Sequence, residues 1–123
     1  MRDVFAADDP AAMLTKWTRA MVEIDARVAT LFSVLDVAAD VDLEARNLRD
    51  EFAHQRLLGA RAVVKRLAEV GVLTAAMSRA DAVDVAWFAT DPVLFDRFVR
   101  IRGWSVNRFQ AWLAALLVAQ LLD

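Results

Sequence analysis

The chain has 123 residues, of which 59% are hydrophobic and 26% charged, with three glycines, two prolines and no cysteine. Such a length fits a single domain spanning residues 1–123, and the composition excludes a disordered tail, a collagen-like fibre or a loop-rich scaffold. Fifteen Lys and Arg against seventeen Asp and Glu leave a formal charge of −2, without the basic excess that counterion-driven nucleic-acid binding needs, so this chain alone is not expected to bind DNA.

The missing thiols remove disulfides, thiolate zinc sites and cysteine nucleophiles, and His54 is the lone imidazole. The opening MRDVFAADDP contains no apolar stretch of the kind a signal peptide carries. The longest apolar run, residues 112–119, falls far short of the roughly 20 residues of a spanning helix. A cytoplasmic protein without membrane contact is the expectation.

The first element is a helix. Leu14, Trp17, Met21, Ile24, Val28, Leu31 and Leu35 recur at steps of three and four, a period that strands cannot produce. Asp9 followed by Pro10 marks its start, a capping side chain and then proline where the missing N–H is harmless. The helix runs either unbroken to about Ala38 or as two helices with a break before Leu31, near Thr30 and Ser33. Asp40 and Asp42 then offer caps for a second helix that begins near Leu43 and ends at Gly71. Leu48, Phe52, Ala60, Val63, Val64, Leu67 and Val70 share its broad apolar face, with Asn47, Glu51, Lys65 and Glu69 opposite.

Ser78 with Asp81 three residues on has the form of a capping box with the shorter acid, and it opens a short helix. Ala82, Val83, Val85, Ala86, Trp87, Phe88 and Ala89 make that helix apolar all round, which predicts burial on more than one side. Thr90, Asp91 and Pro92 repeat the cap-then-proline signal for VLFDRFVRIR, which ends at Gly103. Ser105 caps the last helix, in which Val106, Phe109, Leu113, Leu116, Leu117 and Gln120 share a face with Trp112 at its edge. The fold class is therefore all-α, a bundle of about five to six helices.

The stretch DAVDVAWFATDPVLFDRFVRIRGWSVNRFQAWLAALL, residues 81–117, resembles part of the C-terminal effector-binding and dimerisation domain of tetracycline-repressor-type (TetR) transcriptional regulators. The likeness lies in a helix, a Thr-x-Pro turn, a second helix, Gly-Trp-Ser and an amphipathic helix. QRLLGARAVVKRLAEVGVL, residues 55–73, is similar to the preceding long helix of the same branch, and the Trp17 helix fits the remaining position more loosely. Val106 stands where that branch often has Pro and Asn107 where it often has Glu, which leaves Ser105 to cap alone. The helix-turn-helix that precedes the domain in these regulators has no counterpart in residues 1–10.

The resemblance implies a ligand pocket inside each subunit and a two-fold four-helix interface formed by the last helices. The last helix is either a buried internal helix or part of that interface; the interface is expected, at Phe88, Phe109, Trp112, Leu113, Leu116, Leu117 and Gln120, because five short helices cannot cover both apolar sides of the Trp87 and Phe109 helices. Gln120 would then set the register, as single buried amides do in coiled coils. Bulky rings on several helices leave gaps that Met lines adaptably, and Trp17, Met21, Phe52, Arg56 and Trp87 are the expected pocket residues.

Arg49 and Arg56 straddle Phe52 on the apolar face of the second helix. An Arg cannot discharge, so each either anchors an acidic effector or pairs internally with Asp25, Asp36 or a helix-end carbonyl. His54 falls at the edge of that face with no second ligand at metal spacing, and no nucleophile, base and orienting group are spaced for catalysis. The sequence thus predicts effector sensing and homodimerisation with a small-molecule effector, without enzyme activity, metal or cofactor. The alternative is a stand-alone helical dimeric interaction protein.

Overall fold

The first helix is set by its cap. Asp9 accepts from the backbone N–H of Ala11 (3.2 Å) ahead of Pro10, and α1 (Pro10–Ala38) then runs 29 residues without a break. Thr30 does not interrupt it, because its hydroxyl faces outward and accepts from Nη1 of Arg100 (2.9 Å). The computed structural model describes residues 9–123, so the reading of the opening segment as free of a leader falls almost entirely outside the described residues. No described helix is long and apolar enough to cross a membrane.

The face that α1 buries differs from the expected stripe in the middle. Leu14, Trp17 and Leu35 are buried as expected, but between them the core takes Val22, Asp25, Ala29 and Phe32, while Ile24 and Leu31 are each 48% exposed. The reason is a change of neighbour along a long helix. α1 is the axle of the fold, contacting the second, fourth and fifth helices, and over eight turns the side that meets them need not follow one row of side chains.

A turn over residues 39–42, held by Nε of Arg46 on the Ala39 carbonyl (3.1 Å), returns the chain antiparallel as α2 (Leu43–Glu69). Asp42 caps α2 by accepting from Glu44 (2.9 Å) and Ala45 (3.3 Å). Gly71, at φ 76°, ends it with the left-handed residue that favours glycine, and the Val72 N–H reaches back to the Leu67 carbonyl (3.1 Å). Ala60, Val63, Val64 and Leu67 are buried, whereas Leu48 and Val70, expected on the same face, are each 44% exposed.

α3 (Arg79–Ala89) is capped by Ser78, which accepts from Asp81 (3.0 Å). It buries Ala82, Ala86 and Ala89 against α2 and the last helix, and leaves Phe88 56% exposed. The fourth helix departs from expectation. α4 (Pro92–Phe95), capped by Asp91 on Val93 (3.0 Å), widens at once into a π-helical stretch, Asp96–Ile101. The extra residue per turn has a visible cause: Phe98 is drawn onto Trp104 and Trp112, at ring-centroid distances of 4.8 and 4.9 Å, while Arg100 points the other way to Asp96 (3.3 Å) and Thr30. Gly103, at φ 77°, closes the segment.

α5 (Val106–Leu121) starts from Ser105, which accepts from Arg108 (3.1 Å) and caps alone, as the residues after it predict. Its end is tied to the loop before α3 by Thr74 N–H on the Leu121 carbonyl (2.7 Å) and a single antiparallel bridge between Leu73 and Leu122. The architecture is a five-helix, all-α bundle, with no strand beyond that bridge among the described residues.

The outer residues of α5 correct part of the interface expectation. Phe109, Leu113 and Leu117 are at most 1% exposed inside the subunit. They contribute to its own core together with Trp17, Leu14, Val63 and Leu67 and are not free to meet a second chain. The second apolar side that the sequence could not place is α1 of the same subunit, the helix that α5 contacts most. Trp112 is likewise engaged within the subunit, against Phe98 and Trp104, with one edge left open. Leu116 is half-buried, and Phe88 and Gln120 are exposed.

A candidate ligand cavity between α1 and α2

The two long helices form an antiparallel hairpin that opens along its middle. Toward the Leu14 and Leu67 end, large side chains fill the space, and Leu35, Ala39 and Ala45 are buried at the turn; between Met21 and Phe32 the helices face each other across a cavity of about 510 Å³. That volume lies in the range of roughly 300–1,000 Å³ typical of small-molecule sites. α1 contributes Met21, Ile24, Asp25, Val28 and Phe32, spaced to share one face of a helix, and α2 contributes Phe52, Gln55, Arg56, Gly59 and Ala62 on the same period. Thr90 and Pro92, at the corner between α3 and α4, close one side.

Residue size explains the opening. Where α2 passes the middle of α1 it presents Gly59 and Ala62, and a Cβ added at Gly59 would meet nothing within 4 Å. Gly59→Ala is therefore expected to stabilise the protein by about 1 kcal/mol, the usual gain in a helix interior, measurable as a higher urea midpoint with an unchanged slope.

Three ionisable groups meet at the wall. The Arg56 side chain is 14% exposed, with its guanidinium 5.9 Å from the Phe32 ring centroid and 5.3 Å from that of Trp87. Its Nη1 lies 4.0 Å from an oxygen of Asp91, close enough for attraction but too far for a hydrogen bond, and buried Nε and Nη1 have no acceptor among the described residues. The other oxygen of Asp91 is the one that caps α4 on Val93. Asp25 is 3% exposed, and burial pushes its carboxyl from the ordinary 3.8 up to about 8, a rise that the Arg56 charge partly opposes and Asp91 reinforces. At neutral pH Asp25 is mainly the uncharged acid, an O–H donor in a largely apolar wall.

The structure brings together three of the five expected pocket residues, Met21, Phe52 and Arg56. Trp17 is a correction. It is fully buried one turn before Met21, in the closely packed end of the hairpin, and is not among the residues that line this cavity. Trp87 is a second. It stands behind the wall, its indole N–H directed at the Ala53 carbonyl (3.4 Å) and its ring facing Arg56. Arg49 is not at the cavity either; it pairs with Asp50 (3.2 Å) and Asp36 (3.7 Å), one of the internal partners the sequence offered. His54 is exposed.

Asp25 is the wall residue that sequence reasoning weighed only as an Arg partner. Its signal was an acid in a row of otherwise apolar positions, Val22, Ala29 and Phe32, at helical spacing. Among the described residues no three His, Cys, Asp or Glu side chains are grouped as a metal site. In comparison with known proteins, no family model, no curated relative and no solved structure matches this chain.

Proposed function

We propose that this chain is an effector-binding and self-associating domain of the tetracycline-repressor type, which takes a small, largely apolar molecule between α1 and α2. The observation that carries the reading is the cavity of about 510 Å³, whose wall combines apolar side chains with a few convergent polar groups, Asp25, Arg56, Gln55 and Thr90. The likeness of residues 81–117 to such regulators supports it independently. The cavity is walled by the two longest helices, so a ligand that fits one spacing of α1 and α2 better than another shifts the population toward that spacing, by no more than its difference in affinity. Self-association would use what α3 and α5 leave open: Phe88, Gln120, the outer side of Leu116 and the edge of Trp112.

Native mass spectrometry of the purified chain tests both parts. A dimer carrying a small-molecule adduct, with the adduct absent from Gly59→Leu, in which the new side chain projects into the empty space, is the expected result. A monomer that carries no adduct and gains none from an apolar dye rejects the reading. A second reading, a helical interaction protein without a ligand, is favoured by a different observation: Leu31, Val34, Val37 and Val41 are 48% to 91% exposed along and just beyond the outer half of α1. Dimerisation that survives Gly59→Leu and is lost in Val34→Glu would favour this second reading.

A further inference from the structure

The cavity wall holds an unanswered charge. Arg56 cannot give up its proton, and its planar fork is suited to two parallel hydrogen bonds with a carboxylate. Two of its donor nitrogens, Nε and Nη1, are buried without an acceptor among the described residues, and the Asp91 carboxylate stands 4.0 Å from Nη1 while its other oxygen caps Val93. The Phe32 and Trp87 rings flank the guanidinium and position it, but they supply no lone pair. A largely buried charge without a hydrogen-bonded anion is costly, and one at the wall of an apolar cavity has a ready means of compensation in a ligand.

Resting on the reading of the cavity as a ligand site, we propose that its ligand is an apolar molecule bearing one carboxylate, which pairs with the guanidinium of Arg56 while its hydrocarbon body lies along Met21, Ile24, Val28 and Phe52. Asp25 assists this seat. As an uncharged acid it does not repel the anion and can donate its proton into a hydrogen bond with it. A cationic ligand would instead require Asp25 and Asp91 to be ionised together beside one Arg.

The charged groups that bear on Asp25 are Arg56 from α2 and Asp91 from the corner before α4. The π-helical stretch meets α1 farther along, where Arg100 is engaged with Asp96 and Thr30, and the buried residues of α5 are all apolar. Anion binding is therefore strongest while Asp25 keeps its proton and weakens above about pH 8.

The test is calorimetric titration of the full chain with decanoate, 1-decanol and decylamine, three probes with one hydrocarbon body and different heads. Decanoate is expected to bind at least about tenfold more tightly than 1-decanol at pH 7, the worth of a charge-assisted hydrogen bond, with decylamine weakest. Arg56→Met should erase the preference for decanoate while 1-decanol still binds, and Asp25→Asn should remove the weakening at high pH. The ranking in the unaltered chain decides even if Arg56→Met does not fold. Equal binding of decanoate and 1-decanol overturns the carboxylate and leaves the ligand cavity standing. Tightest binding of decylamine overturns it in favour of Asp25 as the head-group partner. Failure of all three to bind, with an apolar dye also excluded, overturns the ligand site itself and this inference with it.

Discussion

Asp25→Asn is expected to stabilise the protein at neutral pH and to flatten the dependence of its stability on pH. The folded chain holds the Asp25 proton up to about pH 8, whereas an unfolded chain releases it near 3.8. Between those values the native state binds one proton more than the unfolded state, so stability falls as pH rises, by up to roughly 1.4 kcal/mol per pH unit. The stabilising influence of the retained proton is complete below the lower value and is lost by the upper one. Asn keeps the shape of the uncharged acid and has no proton to lose. Urea unfolding at pH 5 and pH 8 measures the effect: the unaltered chain loses stability across this interval from Asp25, and the Asn variant does not. Equal slopes in the two proteins would mean that Asp25 is ionised and paired with Arg56 throughout.

The other large effect belongs to Phe109→Ala. Phe109 is fully buried and its ring touches three others, those of Phe95 at 5.9 Å, Phe98 at 5.8 Å and Trp112 at 6.2 Å between centroids. Truncation removes the transfer free energy of a phenyl ring and leaves a hole where α5 meets the π-helical stretch, a loss of about 3–5 kcal/mol. For a chain of this size that lowers the melting temperature by about 10 °C or more. Phe88→Ala provides the contrast. Phe88 is 56% exposed, so within a lone subunit its truncation should change stability by less than about 0.5 kcal/mol. A melt in which Phe88→Ala costs as much as Phe109→Ala, and does so in proportion to protein concentration, would show that Phe88 is covered by a second chain.

These two phenylalanines illustrate how far the sequence alone determines burial. Helix boundaries were legible wherever a cap was written into two or three adjacent residues: Asp9 with Pro10, Asp42, Ser78, Asp91 with Pro92, Ser105, and the glycines at 71 and 103. Capping is short-range chemistry, settled by the reach of one side chain to the next backbone N–H. An apolar face, by contrast, states only that something covers it. Phe109, Leu113 and Leu117 are covered by their own subunit, and the pattern of α5 is the same whichever chain supplies the cover.

The π-helical stretch was illegible for a related reason. The residues of Asp96–Ile101 suit an ordinary helix; the wider turn depends on where Trp104, Trp112 and Thr30 stand in the folded chain. The cavity was legible in half. Met21, Phe52 and Arg56 fall on faces that point between helices, but the emptiness itself comes from Gly59 and Ala62, two small residues whose meaning depends on what lies opposite. Trp17 and Trp87 were too large to ignore, yet bulk fills space more often than it borders it.

Trp87 nevertheless gives the cavity a reporter of its own. Its indole bridges α3 to α2 at Ala53 and shares one face with the Arg56 cation, while Trp17 lies in the closely packed end of the hairpin and Trp104 and Trp112 belong to the aromatic cluster beside the π-helical stretch. An occupant that draws the guanidinium toward itself alters the field across a single indole out of four. Intrinsic emission should therefore shift on loading without any attached dye, and Trp87→Phe should silence the response while the other three fluorophores continue to report the integrity of the bundle.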